Sequence, residues 1–239
     1  MFGLFKTSIL KSGLLKGFTD NHSHILPGGD DGIKTMEDAL EVLKAYERWG
    51  IHEVWLTPHI MEDIPNTTAH LTQRYHELLD AYTGPITLHL AAENMLDQLC
   101  EERLEQRDLL PIGPRKDHLL VETSYFNPPI DLYGLIKKIM HCGYRPVLAH
   151  PERYVYMDDH DYQTLNEMGV KFQANITSLV GAYGKEAQKK VEMLLKKGYI
   201  DLTGTDIHKL RAMTYAISRY DLAKKDLKRL PKNETEAIA

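Results

Sequence analysis

The chain has 239 residues, 43% of them hydrophobic and 26% charged, and a formal net charge of -5, which are globular proportions that suit a single domain with a sizeable core. An acidic balance without clustered Lys or Arg argues against a nucleic-acid binder, and no apolar run reaches the ~20 residues that cross a bilayer. Two cysteines, Cys100 and Cys142, are too few and too widely spaced for a disulfide framework or a zinc knuckle, so a reducing cytoplasm is the expected location.

Residues 1–17 carry Lys6, Lys11 and Lys16 among apolar residues but have no uninterrupted apolar region and no cleavage site, so they do not read as a signal peptide. The expectation is an N-terminal arm packed on the end of the fold, with peripheral contact to the inner membrane as the second reading. The first strand is expected over 17–22, "GFTDNH". A helix follows with Thr35 as N-cap, apolar residues at Ala39, Leu40, Val42, Leu43 and Tyr46, and Gly50 as a left-handed stop. Further strands are predicted over 53–58, 86–91, 118–122, 146–150, 170–175 and 200–204. Helical spacing is predicted over 68–82, 131–142, 161–168, 184–197 and 209–226, with a shorter helix within 94–106. From Pro231 the tail, 231–239, is polar and expected to fray. Seven strands alternating with helices predict an α/β fold of βα units in one domain, 1–239, closed or nearly closed as a barrel. An open doubly wound sheet is the alternative.

Potential metal ligands fall at the C-terminal ends of these strands: His22 and His24, His59, Glu93, Glu122, His150, and Asp206 with His208. In a β/α barrel those ends converge on one face. Along an extended strand i and i+2 share a side, so Asp20, His22 and His24 can face together, as can Asp206 and His208, whereas a helix would turn each pair about 200° apart. The remaining histidines, such as His52, His89 and His118, read as ordinary surface or core residues. Glu93 and Glu122 end apolar strands without an evident basic partner, and carboxylates buried there call for a cation. A bridging carboxylate suits two ions ~3.5–4 Å apart.

Asp30 and Asp31 lie in "GGDDG" just before a helix. Asp30 reads as a cap or dipole partner, and Asp31 as a contributor to the metal site or to activation of a leaving group. Arg153, three residues after His150 in "AHPERY", can clamp a phosphate, the alternative being a salt bridge to Glu152. Imidazole and carboxylate donors without thiolate suit Mn, Fe or Zn better than Ca.

"DNHSH", "TPH", "AAE", "VETS", "AHPERY" and "TGTDIH" follow one another as in the polymerase and histidinol phosphatase (PHP) superfamily. From about residue 18 to 210 the chain most resembles its bacterial manganese-dependent protein-tyrosine phosphatases of capsular and exopolysaccharide synthesis. The resemblance implies a distorted, TIM-like (β/α)7 barrel holding two or three divalent ions, Mn foremost and Fe or Zn as alternatives. On matching positions it implies that His22, His24, Glu93 and Asp206 hold one part of the cluster, Glu122 and His150 another, and His59 with His208 a third. It implies a phosphotyrosine protein as partner, the Tyr-rich tail of a bacterial tyrosine kinase, and in-line attack by a metal-bound hydroxide with Arg153 orienting the phosphate. Ile60, where some relatives carry a polar or basic residue, departs from the pattern. Neither cysteine is followed by Arg at the C-x5-R spacing of cysteine phosphatases, since Gln106 and Leu148 stand there. The competing readings are a histidinol-phosphatase-like enzyme, a PHP exonuclease, an amidohydrolase and a metal-bound scaffold without catalysis.

Overall fold

The computed structural model describes residues 6–219, 222–231 and 238. In chain order the elements are β1 (Lys6–Thr7), α1 (Ile9–Ser12), β2 (Thr19–Ser23), α2 (Met36–Trp49), β3 (Glu53–Leu56), β4 (His59–Ile60) and α3 (Thr68–Ala81). Next come β5 (Thr87–Leu90), β6 (Glu93–Met95), α4 (Gln98–Gln106), β7 (His118–Glu122), α5 (Leu132–His141) and β8 (Arg145–Ala149). The chain continues through α6 (Asp159–Glu167), β9 (Lys171–Asn175), α7 (Lys185–Lys197), β10 (Ile200–Gly204), α8 (Leu210–Arg219), β11 (Leu222–Ala223) and α9 (Lys224–Leu227). All seven predicted strands are present. The helix expected over 209–226 instead ends at Arg219, and the chain then forms β11, antiparallel to β1. Most of the tail after Pro231 lies outside the described residues.

The caps behave as the sequence dictates. Thr35 accepts from the Asp38 amide at 3.1 Å, and Gly50, at φ 89°, returns its N–H to Tyr46 and Glu47. Of the N-terminal arm, α1 buries Ile9, Leu15 follows into the core, and the Gly17 amide bonds the Gly50 carbonyl at 2.7 Å. No helix among the described residues is long and apolar enough to cross a membrane.

The parallel strands form two ladders, β10-β9-β8-β7-β6-β4 and β2-β3-β5. The ladders run into one another because β3 and β4 are one interrupted strand, as are β5 and β6. Ala91 N bonds Leu56 O at 2.9 Å and Glu93 N bonds Pro58 O at 3.1 Å, which carries the pairing across both breaks. On the other side β10 meets β2 without a regular ladder: Asp206 N reaches His22 O at 2.8 Å, His24 N reaches Ile207 O at 3.1 Å, and Ser23 bridges Ile207 in parallel. This ring of seven parallel strands is the distorted, TIM-like α/β barrel that the βα pattern predicts.

Strand parity divides the core. Trp55, Ala91, Leu120, Val147, Ala149 and Leu202 pack together inside the ring, whereas Val54, Leu56, Leu119, Val121 and Leu148 join the layer beneath the helices. Leu120 therefore places Glu122, two residues on, toward the barrel mouth. Parity fails in β10, whose pairing with β9 shifts register between Ile200 and Leu202, and again in β2, whose pairing with β3 shifts between Asp20 and Ser23. Asp20 consequently does not join His22 and His24. Its carboxylate accepts from Thr205 N at 2.7 Å, Thr205 Oγ1 at 2.7 Å and Tyr46 OH at 2.8 Å, tying β10 and α2 to β2. Burial outweighs these bonds and pushes its pKa up to about 6.

The irregular seam between β2 and β10 depends on Gly204, where a Cβ would stand 2.6 Å from His22 Cβ and 2.8 Å from His22 N. Gly204→Ala is expected to cost about 1–3 kcal/mol by overpacking. It should lower the urea unfolding midpoint; an unchanged midpoint would mean that the seam is not tight.

Candidate metal centre

The strand ends bring the predicted ligands into one buried cluster. His22 and His24 from β2 place their Nε2 atoms 3.0 Å apart. Glu93 opens β6 and sits among the imidazoles: its Oε2 is 3.1 Å from His22 Nε2, 3.4 Å from His24 Nε2 and 3.1 Å from His59 Nδ1, and its Oε1 is 3.0 Å from His150 Nε2. Glu122 at the end of β7 approaches His59 Nδ1 at 3.0 Å and His150 Nε2 at 3.8 Å. Asp206 Oδ1, just beyond β10, lies 3.3 Å from His24 Nε2 and 3.5 Å from His208 Nδ1. His150 and Asp206 adopt left-handed φ values of 34° and 53°, which side chains other than Gly visit rarely, so the backbone at both is strained into position.

Asp31 is the exposed member. Its Oδ1 lies 3.4 Å from His208 Nε2 and 3.6 Å from His59 Nε2, at the outer side of the cluster. Three groups have ligand atoms within 4.8 Å of one another: His22, His24 and Glu93; His59, Glu93 and Glu122; and His24, Asp31, His59 and His208. Glu93 belongs to two of these, as a bridging carboxylate would.

Arg153 does not pair with Glu152, the partner weighed from the sequence. Its Nη1 donates to Asp206 Oδ2 at 2.7 Å, and its guanidinium lies between the Tyr125 and Tyr183 rings, 4.2 and 4.3 Å from their centroids. Glu152 is buried elsewhere, accepting from Ser178 Oγ at 2.6 Å and Asn175 N at 2.9 Å. Arg153, Asp31, His59, Asp206 and His208 line a cavity of about 640 Å³ that opens over the cluster.

Asp30 corrects the reading made from the sequence. It is not a surface cap: its Oδ2 is 2.6 Å from His24 Nδ1 and accepts from His59 N at 2.8 Å, and its Oδ1 accepts from Gly32 N at 2.8 Å. The carboxylate thus fixes the His24 ring with Nε2 toward the cluster. Gly32 makes this fold-back possible, since a Cβ there would meet His24 O at 2.4 Å. Gln173 does the same for His22, placing Oε1 2.8 Å from Nδ1, and Asn175 Nδ2 donates to Asp206 Oδ2 at 2.7 Å. Neither was picked out from the sequence, although Gln173 and Asn175, two residues apart in the otherwise apolar "VKFQAN", carry the parity signal of lumen-facing polar positions.

The charges explain what this cluster needs. Burial favours neutral carboxyls, yet His22 and its imidazole neighbours hold Glu93 and Asp206 well below the usual carboxylate range. Burial likewise disfavours protonated imidazoles, yet Glu93 and Asp206 raise His22, Asp30 raises His24, and Glu93 with Glu122 raise His59 to about 10. For His208 burial and the neighbouring His24 act the other way and lower its pKa. Both Glu93 oxygens, His59 Nδ1 and His150 Nδ1 are buried without a well-formed hydrogen bond. Imidazole and carboxylate donors that crowd within hydrogen-bond distance of one another, several without a well-formed hydrogen bond, around buried anions fit divalent cations. No thiolate joins the donor set, because Cys100 and Cys142 are free and lie outside it.

A TIM-like α/β barrel with an imidazole and carboxylate centre at its strand C-termini is therefore the class that fold and site define. The family model for capsular polysaccharide synthesis, CpsB/CapC, matches residues 18–226, and the chain belongs to that family. It is 27% identical over 202 residues to tyrosine-protein phosphatase YwqE of Bacillus subtilis, covering 82% of this chain and 79% of the relative. With tyrosine-protein phosphatase CpsB of Streptococcus pneumoniae it shares 23% identity over 218 residues, covering 86% and 89%. A solved structure from work on B. subtilis YwqE and S. pneumoniae CpsB, described as unique metal-dependent tyrosine phosphatases, superposes with a TM-score of 0.72 at 27% identity, covering 82% of this chain and 81% of the other. An amidohydrolase from Burkholderia ambifaria with bound Zn shares the fold alone, with a TM-score of 0.52 at 12% identity over 99% of this chain and 89% of the other.

Asp30→Asn keeps the shape of the Asp30 side chain but removes the anion behind His24. The variant is expected to bind Mn roughly 10–100-fold more weakly by calorimetry; undiminished affinity would contradict orientation of a ligand by Asp30.

Proposed function

We propose that the chain is a metal-dependent tyrosine-protein phosphatase of capsular or exopolysaccharide synthesis, acting as one domain. The observation that carries this reading is the convergence of eight imidazole and carboxylate residues, from six strand ends, beneath a cavity that also holds Arg153. The names of the relatives agree with it. On this reading His22, His24, His59, Glu93, Glu122, His150, Asp206 and His208 hold two or three divalent ions, with Mn preferred and Fe or Zn as alternatives. Divalent cations held there supply a nucleophile at neutral pH and offset charge on the phosphoryl group.

The protein's own groups do the rest. Arg153 is held by Asp206 and by two aromatic rings, so its guanidinium meets a phosphate in a fixed orientation at little entropic cost. Gln173 and Asp30 keep the Nδ1 sides of His22 and His24 engaged, which leaves each Nε2 facing the reacting centre. Asp31, exposed beside His208 and His59, stands at the outer side of the cluster, beside the cavity through which a phenolate would depart. The mixed walls of the cavity, with Ile207, Met213 and Ala216 opposite the charged groups, suit a phenol ring carrying a phosphate. The partner is a phosphotyrosine protein, which we take to be the Tyr-rich tail of a bacterial tyrosine kinase. The chain would meet it in the cytoplasm at the inner membrane surface.

With Mn supplied, the chain is expected to hydrolyse a phosphotyrosine peptide and p-nitrophenyl phosphate. His150→Ala should lower kcat/KM by more than the roughly 10–100-fold that accompanies loss of an outer partner. Arg153→Ala should raise KM and lower kcat/KM by about 10²–10³-fold. A strong preference for histidinol phosphate, metal-dependent shortening of single-stranded DNA, or full activity of His150→Ala would each overturn the assignment.

A further inference from the structure

A second cavity, of about 350 Å³, adjoins the catalytic one, and Tyr125, Arg153 and Tyr183 line both. The stacked guanidinium and rings are thus a partition between two chambers. Beyond it the walls come from Tyr154 and Val155, after β8, and from Ala187 and Lys190 on α7. We propose that this side chamber receives an aromatic residue adjacent to the phosphotyrosine in the substrate, making the enzyme selective for sequence around the phosphate. The inference rests on the phosphatase reading above and adds to it a specificity site.

The chemistry of the walls selects the occupant. The charged groups there are already engaged. Lys190 Nζ donates to Met157 O at 2.8 Å and also to Tyr154 O, and Glu186 pairs with Lys189 at 2.7 Å. Arg153 is committed to Asp206. Glu152 also lines the chamber, but at 1% exposure, with one oxygen bound to Ser178 and Asn175, it is too enclosed to meet an incoming cation. The apolar surface left uncovered in the chamber is that of Val155, 63% exposed, while the Glu186 side chain, 79% exposed, extends into solvent beside Lys189. The two loops are joined at this point by Val155 N donating to Tyr125 O at 2.8 Å. A ring entering over Val155 would cover this surface and lie against the partly exposed Tyr183 ring without displacing an existing ion pair. Continuity with the catalytic cavity fixes the source of that ring. A peptide whose phosphotyrosine lies on the Arg153 side has only the thickness of the partition to cross before a neighbouring side chain reaches the second chamber.

The test uses the Mn-loaded chain and four phosphotyrosine peptides that differ only in the flanking residues, Phe, Gly, Lys or Asp. Each rate is divided by that of p-nitrophenyl phosphate, which has no flank, on the same preparation. Wild type is expected to favour the Phe peptide over the Gly peptide by about five-fold or more in kcat/KM, and Val155→Asp to reduce that preference below about two-fold. Val155→Ala, which removes apolar area without adding charge, provides a second variant, expected to weaken the preference in the same direction. Equal use of Phe and Gly peptides, a preference for Lys or Asp flanks, or a Phe preference that survives Val155→Asp would overturn the inference. Failure to hydrolyse any of the substrates would instead remove the phosphatase reading itself.

Discussion

Buried negative charge at the mouth of the barrel is the constraint on which the rest of the molecule turns. Glu93 is fully enclosed, and Glu122, Asp206 and Asp30 are nearly so. An ionised carboxylate in such surroundings costs several kcal/mol unless it is paired. Arg153 answers for part of Asp206 only, and His22, His24 and His59 answer for part of the remainder, their pKa values raised by the acids beside them against the effect of burial. Divalent cations satisfy the same demand with the imidazoles neutral, and the Nε2 atoms of His22 and His24 already face inward to receive them.

Much of the framework exists to hold these groups at one end. Seven parallel strands bring residues far apart in sequence to a common rim, and several of the places where the barrel departs from regularity carry candidate ligands. Both interrupted strands resume at a site residue, His59 in β4 and Glu93 in β6, which pair with each other. The β2–β10 seam closes through Asp206 N and His22 O, with Gly204 giving the room and Asp20 tying Thr205 and Tyr46 to β2. Left-handed backbone at His150 and Asp206 turns their side chains off the strand axis. Left-handed backbone and a register shift thus occur at several of these site residues, as is usual for such sites.

The strands, and the residues that converge at their ends, are legible because both follow simple periodicities. Apolar runs of strand length between helical patterns located all seven strands, and the histidines and acids at the ends of those runs are the residues the fold draws together. The sequence signal failed where tertiary contacts override parity. A bulge in β2 turns Asp20 away from His22, and the fold-back at Gly32 converts Asp30 from a turn residue into the partner of His24. Gln173 and Asn175 were overlooked because amides have no distinctive spacing unless one asks which strand residues face the lumen. The alternative of an Arg153–Glu152 pair fails because adjacency in the chain says nothing of direction: the 3-10 turn Pro151–Arg153 sends the two side chains to different neighbours. The break after Arg219 has no comparable local cause in the residues before it, and its partner strand, β1, lies at the opposite end of the sequence.

Anomalous X-ray diffraction from crystals grown with Mn tests the central claim most directly. The account predicts two or three strong peaks within roughly 2.0–2.4 Å of the imidazole nitrogens and carboxylate oxygens of His22, Glu93, His150 and Asp206. Diffraction of the folded protein with no peak among those side chains, or with Mn bound only elsewhere, would contradict it.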